Sequence, residues 1–175
     1  MEPKKNIFEI SGDVGIGYLA NGGIFLFDSE DYDKIKDCYW FPAGNGYIRT
    51  FNKKVVNRCN KSGLLHRFLL GCKGKQGTDH KNHCPADNRK SNIRICTASQ
   101  NSRNRNFRGY SWDRKTKKWR VQITVNKRNH ELGYFEKEED ALAVRRKAEI
   151  KYFGEYAFSL PVARKALYVR SKYAQ

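Results

Sequence analysis

One seven-residue run with strict alternation of side-chain character constrains the fold of this chain most. In Trp119-Arg120-Val121-Gln122-Ile123-Thr124-Val125, odd positions are apolar and even positions are polar, which is the period of a half-buried β-strand. Strands are also predicted at Arg108 to Trp112 and at Glu131 to Phe135. Residues 136–153 predict a helix with an acidic first turn. The helix face that packs on the sheet is expected to contain Ala141, Val144, Ala148 and Tyr152.

The fold class predicted from these patterns is α+β. Residues 107–158 should form a three-stranded sheet packed on one helix, preceded by a β-rich amino-terminal region at residues 1–60. That region predicts strands at Val14 to Leu19 and Ile24 to Phe27, and Ser29 is expected to cap a short acidic helix. The basic tail, residues 159–175, is either a docking helix or loose chain.

Positive charge is concentrated in the last two-thirds of the chain. The net charge is +17 over 175 residues; it is zero over residues 1–60, +8 over 61–107 and +9 over 108–175. A single-sign excess in a folded, aromatic-rich segment is typical of polyphosphate binding. We therefore expect double-stranded DNA as the partner, and neither a membrane nor a small-molecule cofactor. Solubility and attraction to an anionic membrane surface are the alternatives.

The five cysteines favour a reducing compartment. Their number is odd, no CxxC pair occurs, and the residues before Gly12 contain no apolar stretch typical of a secretory signal. We expect reduced thiols in the cytoplasm of a bacterial or phage-infected cell. A structural zinc site is not favoured, because zinc sites use closely spaced pairs, which are absent among Cys59, Cys72, Cys84 and Cys96.

Residues 78–101 concentrate carboxylate, imidazole and carboxamide groups in a basic setting. Hydrolysis of DNA requires a base of near-neutral pKa, which histidine provides. It also requires a divalent cation, and such hard cations prefer the oxygen ligands of Asp and Asn. Asp79 and His80 are adjacent, so on a strand one would hold the cation while the other meets the water.

This segment resembles the HNH endonucleases of the phage and intron homing type, whose fold is the ββα-metal finger. The resemblance rests on Asp79-His80, on Asn88-Arg89-Lys90-Ser91-Asn92-Ile93-Arg94 and on Asn101. Leu65-His66-Arg67 is also similar to a segment that precedes the finger in this family. The chain departs from the common form at His83-Cys84-Pro85, where small residues are usual. The resemblance places a nuclease finger at residues 61–106.

The HNH resemblance also implies residue roles. His80 would be the general base, Asp79 and Asn101 would bind Mg²⁺ (or Mn²⁺), and Asn92 would support catalysis by holding the loop through its backbone. Arg89 and Arg94 would face phosphates of the DNA or the fold's own carboxylates. His66, inside an apolar run, is expected to be a satisfied core histidine. His83 is either a second metal ligand or an exposed loop residue, and exposure is favoured.

Residues 107–158 resemble the Apetala-two/ethylene-response-factor DNA-binding domain. The matching residues are Arg108-Gly109-Tyr110, Trp112, Trp119 to Ile123, Leu132-Gly133-Tyr134-Phe135 and Glu138 to Ala141. The resemblance implies a sheet that enters the major groove. The expected DNA-contacting residues are Arg108, Tyr110, Trp112, Arg114, Arg120 and Gln122, whereas Trp119 is assigned to the core by its parity. Tyr47, Arg49 and Lys53 are further candidates.

Together these features predict a metal-dependent homing-type DNA endonuclease. With one finger per chain, a monomer should nick one strand, and cleavage of both strands should require a homodimer or two binding events. The expected products carry a 5′-phosphate and a 3′-hydroxyl. The alternative is a sequence-specific regulator whose finger is structural, and a weaker third class is an RNA-binding protein.

Overall fold

The computed structural model describes residues 5–58 and 62–158. The protein is α+β, with small antiparallel sheets and mostly short helices. It divides into two compact units, one containing the described residues up to Ala98 and the other those from Ser99 onward. Within the described ranges, no helix has the length and apolar character needed to cross a membrane. The predictions for residues 159–175 and for Cys59 lie outside the described residues.

The first unit begins with a three-stranded antiparallel meander, β1 (Ile7–Ser11), β2 (Val14–Tyr18) and β3 (Ile24–Asp28). The expected strands in β2 and β3 are confirmed, whereas β1 was not predicted. The turn between β2 and β3 closes with a 2.8 Å hydrogen bond from the Leu19 amide to the Gly23 carbonyl.

The core of the first unit lies on one face of this meander. Its fully buried side chains include Phe25, Phe27, Ile35 and Trp40. Ile35 belongs to α1 (Tyr32–Ile35), a single turn that follows a 3₁₀ turn at Ser29–Asp31. The prediction that Ser29 caps the helix is wrong. Ser29 lies inside the 3₁₀ turn, Asp28 occupies the N-cap position, and no side chain caps it.

Short elements then lead to the central segment. A hairpin of β4 (Phe41–Pro42) and β5 (Ile48–Arg49) is followed by α2 (Lys53–Arg58) and α3 (Leu65–Leu69). Next come the antiparallel strands β6 (Gly77–His80) and β7 (Ile93–Cys96), and then α4 (Ala98–Arg103). The elements of the central segment thus follow the order strand, strand, helix.

The loop between β6 and β7 is fastened to the first sheet by backbone hydrogen bonds. The amide of Leu26 donates to the Ala86 carbonyl, and the amide of Asn88 donates to the Leu26 carbonyl, both at 2.8 Å. Because the buried Phe25 and Phe27 anchor β3, these two hydrogen bonds hold the loop against the first sheet. The hydrophobic core of the first unit thereby positions the polar loop between β6 and β7.

The second unit is a three-stranded antiparallel sheet with one long helix. Strands β8 (Tyr110–Asp113), β9 (Lys118–Val125) and β10 (Arg128–Phe135) pair in chain order, and α5 (Glu138–Phe153) packs against them. The predicted parity of β9 is confirmed. Its buried residues are Val121 and Ile123, and its exposed residues include Arg120, Gln122 and Thr124.

The sheet-facing side of α5 differs from the prediction. Ala141 and Ala148 are buried and Val144 is half-buried, but Tyr152 is exposed. The buried positions instead include Arg145 and Glu149, whose Nε and Oε1 atoms lie 3.0 Å apart. The Arg145 guanidinium also donates to the backbone carbonyl of Gln122. A buried charge is tolerated when it is paired and hydrogen-bonded, and this pairing explains why an arginine faces the sheet.

Candidate active site

The hairpin of β6 and β7 places Asp79 and His80 at adjacent positions near the end of a strand. Asp79 lies opposite Arg94 and His80 lies opposite Ile93 in the antiparallel register. Both side chains are buried, with exposures of 7% for Asp79 and 4% for His80. Since successive residues of a strand point to opposite faces, the two groups are presented in different directions.

The carboxylate of Asp79 forms a buried ion pair with Arg94. Oδ2 of Asp79 accepts hydrogen bonds from Nη2 of Arg94 at 2.6 Å and from Nε at 3.0 Å. The sequence left two partners open for Arg94, a DNA phosphate or a carboxylate of the fold. The structure shows the carboxylate, and the burial of Arg94 does not fit its assignment as a DNA-contacting residue.

The loop that follows His80 is held by Asn92. The side-chain nitrogen Nδ2 of Asn92 donates to the backbone carbonyl of Asp87 at 2.7 Å, and Oδ1 of Asn92 accepts from the Asn82 backbone amide at 3.0 Å. The backbone carbonyl of Asn92 also accepts from the amide of Lys81 at 2.8 Å. These are the loop-holding bonds that the sequence analysis expects of Asn92.

Arg89 is likewise engaged by a carboxylate of the loop. Its Nε and Nη2 both lie 2.7 Å from the carboxylate oxygens of Asp87, in a two-point contact. Burial alone would raise the pKa of the Asp87 carboxyl, but the hydrogen bonds and charge of Arg89 lower it overall. The Arg89 side chain remains one-third exposed at 34%, so its contact with DNA stays a prediction.

The burial of His80 disfavours the protonated form of its imidazole. Burial lowers the pKa of His80 below its usual 6.5, and this effect outweighs the opposing hydrogen bond to Asn88 and the negative charges of Asp79 and Asp87. A histidine with a lowered pKa remains unprotonated at neutral pH and can accept a proton. The chemistry of the site is therefore that of a base beside a carboxylate.

Two further rings complete the site, and sequence reasoning did not bring them together with His80. The ring centroid of His66 lies 4.7 Å from that of His80, and the Tyr47 ring lies 5.2 Å from His66 and 5.5 Å from His80. We call Tyr47, His66 and His80 the ring cluster. The signal that points to His66 is its position in Leu65-His66-Arg67, directly before the finger.

The burial of His66 is confirmed, but the expectation that it is a satisfied core histidine is wrong. Within the described residues, its Nδ1 atom is buried and has no hydrogen-bond partner. His83 is half-buried at a positive φ of 58° rather than exposed.

The donor chemistry available for a cation is oxygen-based and sparse. Across residues 5–58 and 62–158, no three His, Cys, Asp or Glu side chains come together as a metal site. The two predicted ligands are a carboxylate, Asp79, and a carboxamide, Asn101, which is half-buried on α4 in the second unit. A hard cation such as Mg²⁺ keeps several waters and uses only one or two protein carboxylates with substrate phosphates. The residue types therefore fit Mg²⁺.

The six expected DNA-contacting residues of the second unit lie on or beside its sheet. Arg120 Nε is 2.8 Å from Glu131 Oε2 on the exposed face, and Trp112 packs edge-on against Trp119 with ring centroids 5.3 Å apart. The Tyr110 hydroxyl donates to Glu138 at 3.0 Å. The remaining members of the set are exposed: Arg108, Arg114 and Gln122.

Comparison of the chain with protein-family models, with curated proteins and with solved structures finds no match.

Proposed function

We propose that this protein is a metal-dependent DNA endonuclease of the HNH type, in which a finger at residues 61–106 hydrolyses a phosphodiester bond. The observation that carries the proposal is the buried imidazole of His80 directly beside the carboxylate of Asp79 on β6. Metal-dependent hydrolysis of a phosphodiester needs at least a base and a ligand for a hard cation, and His80 and Asp79 offer these at adjacent positions.

In the proposed reaction, His80 removes a proton from a water molecule. The water oxygen bonds to the phosphorus in line with the 3′-oxygen, the bond between phosphorus and that oxygen breaks, and the 3′-oxygen takes up a proton. The products carry a 5′-phosphate and a 3′-hydroxyl. Asn92 contributes by keeping the loop in shape through its bonds to Asn82 and Asp87.

Asp79 is the proposed ligand of Mg²⁺, or of Mn²⁺, on β6, and Asn101 stays a ligand implied by the HNH resemblance alone. When bound, the cation offsets the charge on the phosphate and on the leaving oxygen. Arg94 has a supporting role in this proposal, because its two hydrogen bonds to Oδ2 hold the Asp79 carboxylate in one orientation.

The second unit is proposed to bind the DNA duplex in an Apetala-two-like manner. The exposed face of β9 would supply Arg120 and Gln122 to base edges, while lysines and arginines elsewhere on the unit would neutralise phosphates. A large share of the affinity should come from release of counterions, so binding should weaken steeply with salt. A monomer would nick one strand.

A non-catalytic DNA-binding regulator is the second candidate. The Asp79–Arg94 ion pair supports this candidate, since a carboxylate already paired with a guanidinium can have a purely structural role. Both candidates predict binding to DNA, and only the first predicts a broken strand.

The experiment that tests the proposal uses a duplex selected from a random pool by the full-length protein and cloned into a supercoiled plasmid. The plasmid is incubated with protein and Mg²⁺, Mn²⁺ or EDTA, and the ends are mapped. The endonuclease predicts relaxed circles only with a cation, each with one 5′-phosphate and one 3′-hydroxyl at the selected site. Tight binding without nicking in either cation would support the regulator instead.

A further inference from the structure

The hairpin of β4 and β5 has an aromatic outer face. Alternate residues of its two arms are buried: Trp40, Ile48 and Thr50. The residues between them are half-buried or exposed, and we call them the aromatic platform: Tyr39, Phe41, Arg49 and Phe51. The solvent-facing side of an antiparallel hairpin is usually polar, yet Phe51 is 71% exposed. Solvent exposure of these rings calls for a ligand, because clustered apolar surface of this kind marks interaction sites.

The members of the aromatic platform contact one another. The ring centroids of Phe41 and Phe51 lie 4.7 Å apart, and the Tyr39 ring stacks with Phe41 at 6.2 Å. Arg49 is the cross-strand partner of Phe41, and its guanidinium carbon lies 5.0 Å from the centroid of Phe51 and 6.0 Å from that of Phe41. These distances are those of cation–π contacts. The contacts support one side of the Phe51 ring, while most of its surface stays open.

The charge around the aromatic platform is positive. From residue 38 to residue 78 the chain contains eight Lys and Arg residues and no Asp or Glu. Lys53 and Lys54 begin α2 directly after the platform, and both are exposed. Among the residues that the structure describes, Nε of Arg49 is buried and has no hydrogen-bond partner. The charge therefore complements a ligand that combines flat rings with negative groups, as a nucleic-acid strand does.

An exposed phenyl ring favours an unpaired strand over a duplex. Phenylalanine has no donor or acceptor with which to read base edges in a groove, and the faces of paired bases are covered by their neighbours. The bases of a single strand offer open faces, which stack on aromatic side chains with little regard to sequence.

We propose that the aromatic platform binds single-stranded DNA, with one unpaired base stacked on Phe51 and with Arg49 and Lys53 beside the phosphates. This binding site uses none of the residues assigned to cleavage. Only the choice of DNA over RNA rests on the proposed endonuclease function, because stacking itself does not distinguish the two.

The test measures binding by the full-length protein in EDTA, where no cation is present for cleavage. Three fluorescent strands of equal length are titrated: oligo(dT), oligo(U) and an abasic DNA strand. Because oligo(dT) and the abasic strand carry the same phosphate charge, the ratio of their Kd values isolates the contribution of the bases. The variants are Phe51→Leu, which removes the ring, and Phe51→Tyr, which keeps it. Phe107→Ala is the control, since Phe107 is a phenylalanine of the second unit with a similar exposure of 67%.

For Phe51→Leu we expect about 10-fold weaker binding of oligo(dT), an unchanged Kd for the abasic strand and a native midpoint of thermal unfolding. Phe51→Tyr and Phe107→Ala should bind oligo(dT) with the native Kd. We expect oligo(U) to bind the native protein no more tightly than oligo(dT).

A native Kd for oligo(dT) in Phe51→Leu would overturn the inference and leave the endonuclease proposal intact. An equal loss in Phe107→Ala would contradict the assignment to the platform, and tighter binding of oligo(U) would contradict the choice of DNA. Equal Kd values of the native protein for oligo(dT) and the abasic strand would also overturn the inference, and would favour a protein partner for the rings. Binding of oligo(dT) through Phe51 by a protein that never nicks the selected plasmid would support the platform and refute the proposed function.

Discussion

The guanidinium of Arg94 lies on the buried carboxylate of Asp79, with Nη2 2.6 Å from Oδ2. The two residues face each other across β6 and β7. This pair links the fold of the hairpin to the proposed chemistry, because the same carboxylate is a proposed ligand of the cation.

Replacing Arg94 with methionine should destabilise the first unit by about 3–5 kcal/mol, because it leaves a buried carboxylate without its partner. The measurement is the free energy of unfolding from urea titration. The double variant Arg94→Met/Asp79→Asn serves as the control and should recover part of the loss, since the unpaired charge is gone. A loss below about 1 kcal/mol in the single variant would show that the pair does not stabilise the hairpin.

Gly109→Ala should destabilise the second unit by more than about 1 kcal/mol. Gly109 has a φ of +64°, and an added Cβ would lie 2.4 Å from the guanidinium carbon of Arg145. Gly154→Ala is the matched control, because its φ of +53° is similar but no atom lies within 4 Å of the added Cβ. Thermal unfolding should show a larger loss for Gly109→Ala. Equal losses would mean that backbone strain alone matters and that contact with Arg145 does not.

Acidification should destabilise the native protein more than His66→Phe. In the unfolded chain His66 takes up a proton near its usual pKa of 6.5, whereas in the folded protein the pKa is about 3. The contribution of unprotonated His66 to stability is therefore fully present above about pH 6.5. It is lost as the pH falls toward 3, by up to about 1.4 kcal/mol per pH unit. Urea titrations at pH 7, 6 and 5 measure the difference. Parallel pH dependences for the two proteins would contradict a buried neutral His66.

Arg120→Ala should relax the sequence preference of the second unit, whereas Lys117→Ala should lower affinity evenly across sequences. Arg120 lies on the exposed face of β9, paired with Glu131, and Lys117 lies in the preceding turn with a φ of 52°. Selection of bound duplexes and salt-dependent Kd values measure both effects. The same change of preference in both variants would refute the assignment of the β9 face.

The elements that could be predicted from the sequence are those with a local pattern. The alternation in β9 predicted which side chains are buried, because the period of a strand fixes its faces over any few residues. Asp79 and His80 could be recognised as a pair because they are adjacent in the chain and belong to a multi-part motif.

The features that escaped prediction depend on residues distant in sequence. Arg145 is buried on α5 because the carbonyl of Gln122 and the absence of a side chain at Gly109 accommodate it, and neither is visible from helical periodicity. From the sequence, Arg94 could equally have contacted a DNA phosphate, whereas the antiparallel register of β6 and β7 places it opposite Asp79. The apolar run around His66 predicted a core residue, and the contact of its ring with His80 forms only in the folded protein.

In the proposed function, the imidazole of His80 is the base of a DNA-cleaving site. Its most direct test compares the native protein, His80→Ala and His130→Ala for nicking of the selected plasmid in Mg²⁺, with gel-shift binding measured in parallel. His130 is an exposed histidine of β10 and controls for the loss of an imidazole elsewhere. We expect native binding by all three proteins, native nicking by His130→Ala, and a nicking rate at least about 100-fold lower for His80→Ala. Nicking by His80→Ala at the native rate would show that His80 is not the base.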